Sequence, residues 1–193
     1  MAYGYFSLEV YYFTTPPSEA DHPINDGWDV CDDKEIEEYI QTICAGPGRK
    51  LEITYLVIPY AIEAEVEVRL KLKDLGSGSR IMYGKIKATA TDFADKSVHL
   101  FSCERRRSLS FPSGSTSILP LSPSKIAVPG CRQLKLHIEV DLTIITPCDS
   151  QEEEEKNLKF SLEFTYGIGI RSQEREVDDD GVEVNVTYRG IPR

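Results

Sequence analysis

The chain has 193 residues, of which 40% are hydrophobic and 28% charged, with a formal net charge of −10 at pH 7. That length suits one large domain or two small ones with an ordinary core, and the negative balance works against nucleic acid and anionic membrane as partners of the whole surface. No apolar run approaches the roughly 18 residues that a membrane span needs, and the start, MAYGYFSLEV, lacks the basic and apolar regions of a signal peptide.

Residues 3 to 13 alternate, with Phe6, Leu8, Val10 and Tyr12 on one side, and predict a first strand. Thr14 to Gly27 carries Pro16, Pro17, Pro23 and Asn25 and reads as a loop that ends at Trp28, a core lid. Asp32 to Ala45 predicts a helix. Asp32 or Asp33 caps it, Glu35, Glu37 and Glu38 suit the positive end of its dipole, and Ile36, Tyr39, Ile40 and Ile43 fall at helical spacing. Gly46 and Pro47 stop it. Leu51 to Ile58 is strand-like.

Ala61 to Lys73, AIEAEVEVRLKLK, alternates without a break. Ile62, Ala64, Val66, Val68, Leu70 and Leu72 point one way, and the charged residues between them point the other. This is a long strand with one buried and one wet face. Further strands are expected at Ile81–Thr91, Lys96–Cys103, Leu134–Ile145, Leu158–Arg171 and Val182–Tyr188. The proline-rich stretch from Phe111 to Val128 is expected to wrap a sheet edge with one or two short strands. Glu152 to Glu155 read as a solvated loop and Asp178 to Gly181 as a tight turn. The fold expected is mainly β: an antiparallel β-sandwich of about nine strands with one short α-helix near the N-terminus. A single domain is expected over residues 1–193, with residues 1–50 forming a strand plus helix and residues 51–193 the main sandwich.

Five cysteines, Cys31, Cys44, Cys103, Cys131 and Cys148, form no C-x-x-C pair, and the odd count does not suit a disulfide framework. They read as reduced thiols of a cytosolic or nuclear protein, with the cytoplasm as the expected location. Charge is uneven. Residues 69 to 107 hold ten Lys/Arg against four acids. Arg69, Lys71, Lys73, Lys85, Lys87, Arg105, Arg106 and Arg107 are therefore the candidate binding residues, for RNA or a ribosome if the basic stretch meets phosphate.

The other chemistries are thinly supported. Asp178, Asp179 and Asp180, or Asp29, Asp32 and Asp33, supply carboxylates for calcium, but such a site needs six to eight oxygens from several loops. His22, His99 and His137 lie in separate segments, with no H-E-x-x-H and no G-x-S-x-G. Cys131 and His137 lack a second pair for zinc. Asn185-Val186-Thr187 matches a glycosylation sequon without a secretion signal to accompany it. No catalytic residue, metal or cofactor is expected. A protein partner on a sheet face or edge is, and a membrane is not.

From Met82 to Leu142 the order of short motifs is distinctive. Tyr83-Gly84-Lys85-Ile86, Leu100-Phe101 with Glu104-Arg105, Leu119-Pro120-Leu121-Ser122, Ile126-Ala127-Val128-Pro129 and Val140-Asp141-Leu142 follow one another. This order resembles a cereal-grass domain of unknown function that lies C-terminal to the toxin domain in jasmonate-induced ribosome-inactivating proteins. The likeness covers roughly residues 52 to 193. It implies a plant stress or defence setting and an accessory, non-catalytic role beside a toxin. Ribosome-inactivating domains use a Glu-x-x-Arg pair on a buried helix. Glu104 and Arg107 share that spacing, but they sit in the polar stretch CERRRS and are not expected to depurinate RNA. Such C-terminal domains have also been likened to cap-binding initiation factors, which hold methylated guanine between two tryptophans. This chain has only Trp28.

Overall fold

The computed structural model describes residues 4–10, 24–30, 37–44, 50–76, 78–90, 96–130, 133–147 and 154–190. The chain divides into two compact units, residues 1–59 and 60–193. All strand pairings are antiparallel.

The first unit holds two separate two-stranded sheets. β1 (Gly4–Val10) pairs with β2 (Ile24–Val30), and β3 (Glu37–Cys44) pairs with β4 (Lys50–Val57). β3 replaces the helix expected over residues 32–45; the rest of that span lies outside the described residues. The physical reason is in the side chains. Tyr39, Ile40, Thr42 and Ile43 lose rotamer freedom in a helix but suit a pleated surface. Counted by twos, Tyr39, Gln41 and Ile43 share a face. Ile43 is buried there, and Tyr39 stacks on its cross-strand partner Tyr55 with ring centroids 5.6 Å apart. The expected loop also ends early. Residues 24–27 join β2, and Trp28 stands inside that strand opposite Phe6.

The second unit is built on β5 (Ile62–Lys71), β6 (Ser79–Ala90), β7 (Val98–Cys103), β8 (Leu109–Pro112), β9 (Thr116–Ile118), β10 (Lys125–Val128), β11 (Lys135–Thr146), β12 (Glu154–Thr165), β13 (Ile170–Val177) and β14 (Asp180–Arg189). One five-stranded sheet has the order β10-β5-β14-β13, with β9 also on β5. The other has the order β12-β11-β6-β7, with β8 also on β6. The alternation of β5 is borne out residue by residue. Ile62, Ala64, Val66, Val68 and Leu70 are buried, and the residues between them are half-exposed. They join Val182, Val184 and Val186 of β14 in a continuous apolar cluster with Met82 and Ile86 of β6, Leu136 to Ile144 of β11 and Leu158, Leu162 and Phe164 of β12. Each sheet therefore buries one face against the other and leaves one face wet.

Two corrections concern strand limits. The single strand expected over Leu158–Arg171 is two. β12 ends at Thr165, and Tyr166 to Gly169 carries the chain from one sheet to the other before β13 begins. Gly167 and Gly169 belong to this crossing: a Cβ at Gly167 would run into the Arg171 guanidinium, and Gly169 has φ +85°. Glu154 and Glu155 open β12 and do not lie in a loop. The proline-rich stretch does wrap sheet edges, but with three short strands and not one or two: β8 on β6, and β9 and β10 on β5. With β2, β3, β13 and these short strands, the described residues hold fourteen strands, not nine.

Both ends of the core are closed by polar bridges between the sheets. At one end Arg80 of β6 and Asp180 of β14 are both buried, and the guanidinium grips the carboxylate with two N–H groups, Nη2 to Oδ2 at 2.8 Å. Arg80 Nε also donates to Thr146 Oγ1 at 3.0 Å. Asp180 accepts further from Lys156 Nζ at 3.0 Å and from the Lys73 backbone N–H at 2.8 Å. At the other end the buried Tyr188 of β14 donates its hydroxyl to the Phe164 carbonyl of β12 at 3.1 Å. Burial pushes that phenol up to about 12.

Gly84 fixes the β6–β11 contact. Its φ is +136°, and a Cβ there would run into the Asp141 carbonyl oxygen and lie 2.8 Å from Leu142 Cα. Gly84→Ala is expected to cost about 1–3 kcal/mol, the usual penalty of overpacking. Chemical denaturation checks this, and an unchanged midpoint would show that the strands have room to part.

Candidate binding surface

The tertiary structure divides the basic stretch between two sheets. Arg69 and Lys71 lie on the wet face of β5, and Lys73 follows the strand. Each is held by a carboxylate. Arg69 Nε is 2.8 Å from Glu67 Oε1, Lys71 Nζ is 2.6 Å from Glu174 Oε1 and 3.0 Å from Glu183 Oε2, and Lys73 Nζ is 2.6 Å from Asp179 Oδ2. The hydrogen bonds that Lys71 donates to Glu174 and Glu183 raise its ammonium above its ordinary value, and the one that Lys73 donates to Asp179 does the same for Lys73. Glu183 is lowered in return, first by Lys71 and then by Asn185. This half of the stretch is neutralised by its own fold.

Lys85 and Lys87 occupy the wet face of β6 in the other sheet. They stand opposite Asp141 and Glu139 of β11. Arg105, Arg106 and Arg107 form a single exposed 3-10 turn after β7. The β6–β7 pairing places Ser102 beside Lys85 and His99 beside Lys87, and Arg105 lies over the Tyr83 ring, 5.9 Å from its centroid. Five of the candidate cations are therefore brought together along β6, and Arg69, Lys71 and Lys73 are not among them. The Glu104-x-x-Arg107 spacing corresponds to this turn, in which the Arg107 N–H donates to the Glu104 carbonyl at 2.8 Å. Both side chains are exposed, unlike a catalytic pair on a buried helix.

A second surface was not singled out in the sequence. On the wet face of β5 and β14 a groove of about 580 Å³ has a polar floor that includes Glu65, Glu67, Glu183 and Asn185. Ile118 of β9, Leu121 and Ile170 of β13 rim it, and Ile118 and Ile170 are 61% and 69% exposed. The signal was present in Ile118 and Ile170, apolar residues next to turns and off the alternation of their neighbours. Pairing of distant strands was needed to place them on opposite rims. Asn185, the sequon residue, sits within this floor. It donates to Glu183 Oε1 at 3.1 Å and to Glu67 Oε1 at 3.5 Å, so it is a strand residue engaged by its neighbours.

The acidic triplet serves the fold. Asp178 and Asp179 have φ of +48° and +67° and make the two-residue hairpin turn between β13 and β14. Asp179 takes Lys73 and Asp180 takes Arg80 and Lys156. Of the alternative set, Asp32 and Asp33 lie outside the described residues, as does His22. His99 is exposed on β7, and His137 Nε2 lies 3.7 Å from Glu163 Oε2 on the wet face of β11. Cys103 is a free thiol whose Sγ donates to the Arg107 carbonyl at 3.0 Å; the side chains of the other four cysteines lie outside the described residues. No helix among the described residues is long and apolar enough to cross a membrane.

Two antiparallel sheets with one shared core and two charged outer faces define a β-rich domain that offers surfaces. Residues 2–186 match the model of DUF6598, a domain of unknown function, and the chain belongs to that family. No curated protein and no solved structure matches the chain.

Asp180 makes stability depend on pH. Burial raises its carboxyl, but the hydrogen bonds from Arg80, from the Lys73 N–H and from Lys156 outweigh burial and hold it below its ordinary 3.8. The folded value is the lower one, so this stabilisation is complete above the unfolded value and is lost as pH falls through the folded value. The melting temperature should therefore drop below about pH 4. Asp180→Asn should lose roughly 3–5 kcal/mol at neutral pH, because Arg80 is left buried without its partner, and should show a shallower acid limb. Thermal melts across the acid range test both, and parallel acid limbs would refute the assignment.

Proposed function

We propose that this chain is a non-catalytic interaction domain, a β-sandwich module of a plant stress or defence protein acting in the cytoplasm, as its resemblance to the domain beside jasmonate-induced ribosome-inactivating toxins suggests. The observation that supports a protein partner best is the groove over β5 and β14. It is open, it has exposed isoleucines on both rims, and its polar floor is already satisfied internally. That combination suits an apolar side chain inserted between two edges, with the floor setting orientation.

The second reading is RNA or ribosome binding through the basic 69–107 region. It loses its β5 half, because Arg69, Lys71 and Lys73 are occupied by carboxylates. It keeps Lys85, Lys87 and the arginine turn. Depurination of ribosomal RNA is not favoured, since Glu104 and Arg107 lie on an exposed turn.

Peptides selected from a random library against the intact chain provide the test. Ile118→Asp with Ile170→Asp should leave stability within about 0.5 kcal/mol, as exposed sites do, while abolishing capture of the selected peptides. Capture that survives both changes would sink the groove reading. Titration with ribosomal RNA at low and physiological salt should show no salt-sensitive affinity, and incubation with intact ribosomes should release no adenine. A steep salt slope would favour the second reading.

A further inference from the structure

The chain has an excess of acids, 32 against 22 Lys/Arg. Cations in such a protein find carboxylates easily, and those of β5, β10 and β14 all do: Arg69, Lys71, Lys125 and Arg189 each pair with a glutamate. Lys85, Lys87, Arg106 and Arg107 do not; among the described residues none of them has a carboxylate within 4.0 Å. These four gather along one strand. The arginine turn packs at the Tyr83 end of β6, Lys85 comes next and Lys87 follows two residues on.

The acids nearest to them are partly spoken for. Asp141, opposite Lys85, pairs with Lys159 of β12 at 3.2 Å, and Glu155 pairs with Arg105 at 2.8 Å. Glu139, opposite Lys87, and the exposed Glu104 are the carboxylates left beside the stripe. The stripe thus keeps a local positive surplus on a molecule of net charge −10.

We infer that the wet face of β6, with the arginine turn beside it, docks an extended acidic protein segment carrying Asp or Glu at alternate positions. Lys85 and Lys87 are two residues apart on a strand, which sets their side chains about 6.7 Å apart on one face. A second extended chain repeats its side chains at the same period, so alternate carboxylates meet alternate lysines. Arg106 and Arg107 then receive the acids at the end of the segment, where a guanidinium takes a carboxylate through paired N–H groups.

Two observations favour an acidic peptide over RNA. Single-stranded RNA is held by free aromatic faces as well as by cations, and the one tyrosine of this stripe, Tyr83, is already covered by Arg105. A phosphate backbone also needs a long basic track, and here Glu139 and Asp141 flank the lysines one strand away. A short segment along β6 meets that row at two positions only, one of them Asp141, already paired with Lys159, and the acids farther off are screened beyond roughly 8–10 Å at physiological salt.

Calorimetry on the full chain tests the inference with a synthetic peptide of alternating glutamate and serine, and with polyuridylate as the competing probe. The peptide is expected to bind at low salt and more weakly at physiological salt. Lys85→Glu with Lys87→Glu, or Arg106→Glu with Arg107→Glu, should weaken binding by about tenfold or more, and Lys125→Ser should leave it unchanged. Glutamine versions of both pairs, with melting curves, guard against loss through misfolding and should weaken binding by less. Peptide binding that is absent at low salt, equally lost in Lys125→Ser, or replaced by tighter binding of polyuridylate would overturn the inference.

Discussion

The buried Arg80–Asp180 pair is the constraint on which the second unit depends. It lies inside the end of an apolar core, where an unpaired charge costs several kcal/mol. Each ion is therefore tied to the other, and the ties cross from one sheet to the other. Arg80 belongs to β6 and reaches Thr146 of β11; Asp180 opens β14 and collects Lys156 of β12 and the Lys73 N–H beyond β5. A slip of β14 by one residue against β5 would carry Asp180 to the wet face and strand Arg80 in the core. The pair thus sets register as well as closing the core, and the Asp178–Asp179 turn is held by the same cations that flank it.

The opposite end is closed by neutral chemistry. Tyr188 gives its hydroxyl to the Phe164 carbonyl and its ring to Tyr166, with centroids 5.3 Å apart. Between the ends the core is mostly aliphatic, with Phe101, Phe164 and Met82 among the valines, leucines and isoleucines. This arrangement leaves both outer faces free of structural duty inside the core, and the chain decorates them differently. The β5–β14 face is a dense lattice of ion pairs with isoleucines at its margins. The β6 face keeps cations that no carboxylate has taken. Such a difference bears directly on partners: the first face offers shape and apolar rims, the second offers charge.

The same contrast explains why one run of basic residues has two fates. Residues 69 to 107 are continuous in the chain, yet β5 and β6 enter different sheets. Arg69 and Lys71 meet the acids of β13 and β14, brought there by pairing across more than a hundred residues. Lys85 and Lys87 meet only the sparser acids of β11. Clustering along the chain was a real signal, but it described two surfaces as one.

By itself the sequence determined the inside of the strands. The period of two from Ile62 to Leu72 and from Leu134 to Ile144 left one solution for which side chains are buried, because a one-residue error inverts every contact. It also determined the Asp178 turn and the edge-wrapping character of the proline-rich stretch. Residues 37–44 show where local pattern is insufficient: Ile40 and Ile43 fit period 3.6, and Tyr39, Gln41 and Ile43 fit period two. The choice was made by pairing with β4, which no window of the sequence contains. The pairing of Arg80 with Asp180 was hidden for a similar reason. Each is an ordinary charged residue until 100 positions of chain are folded away between them. Tertiary structure alone decided which charges were paired, because electrostatic partnership depends on distance in space and alternation reports only on the strand's own two faces.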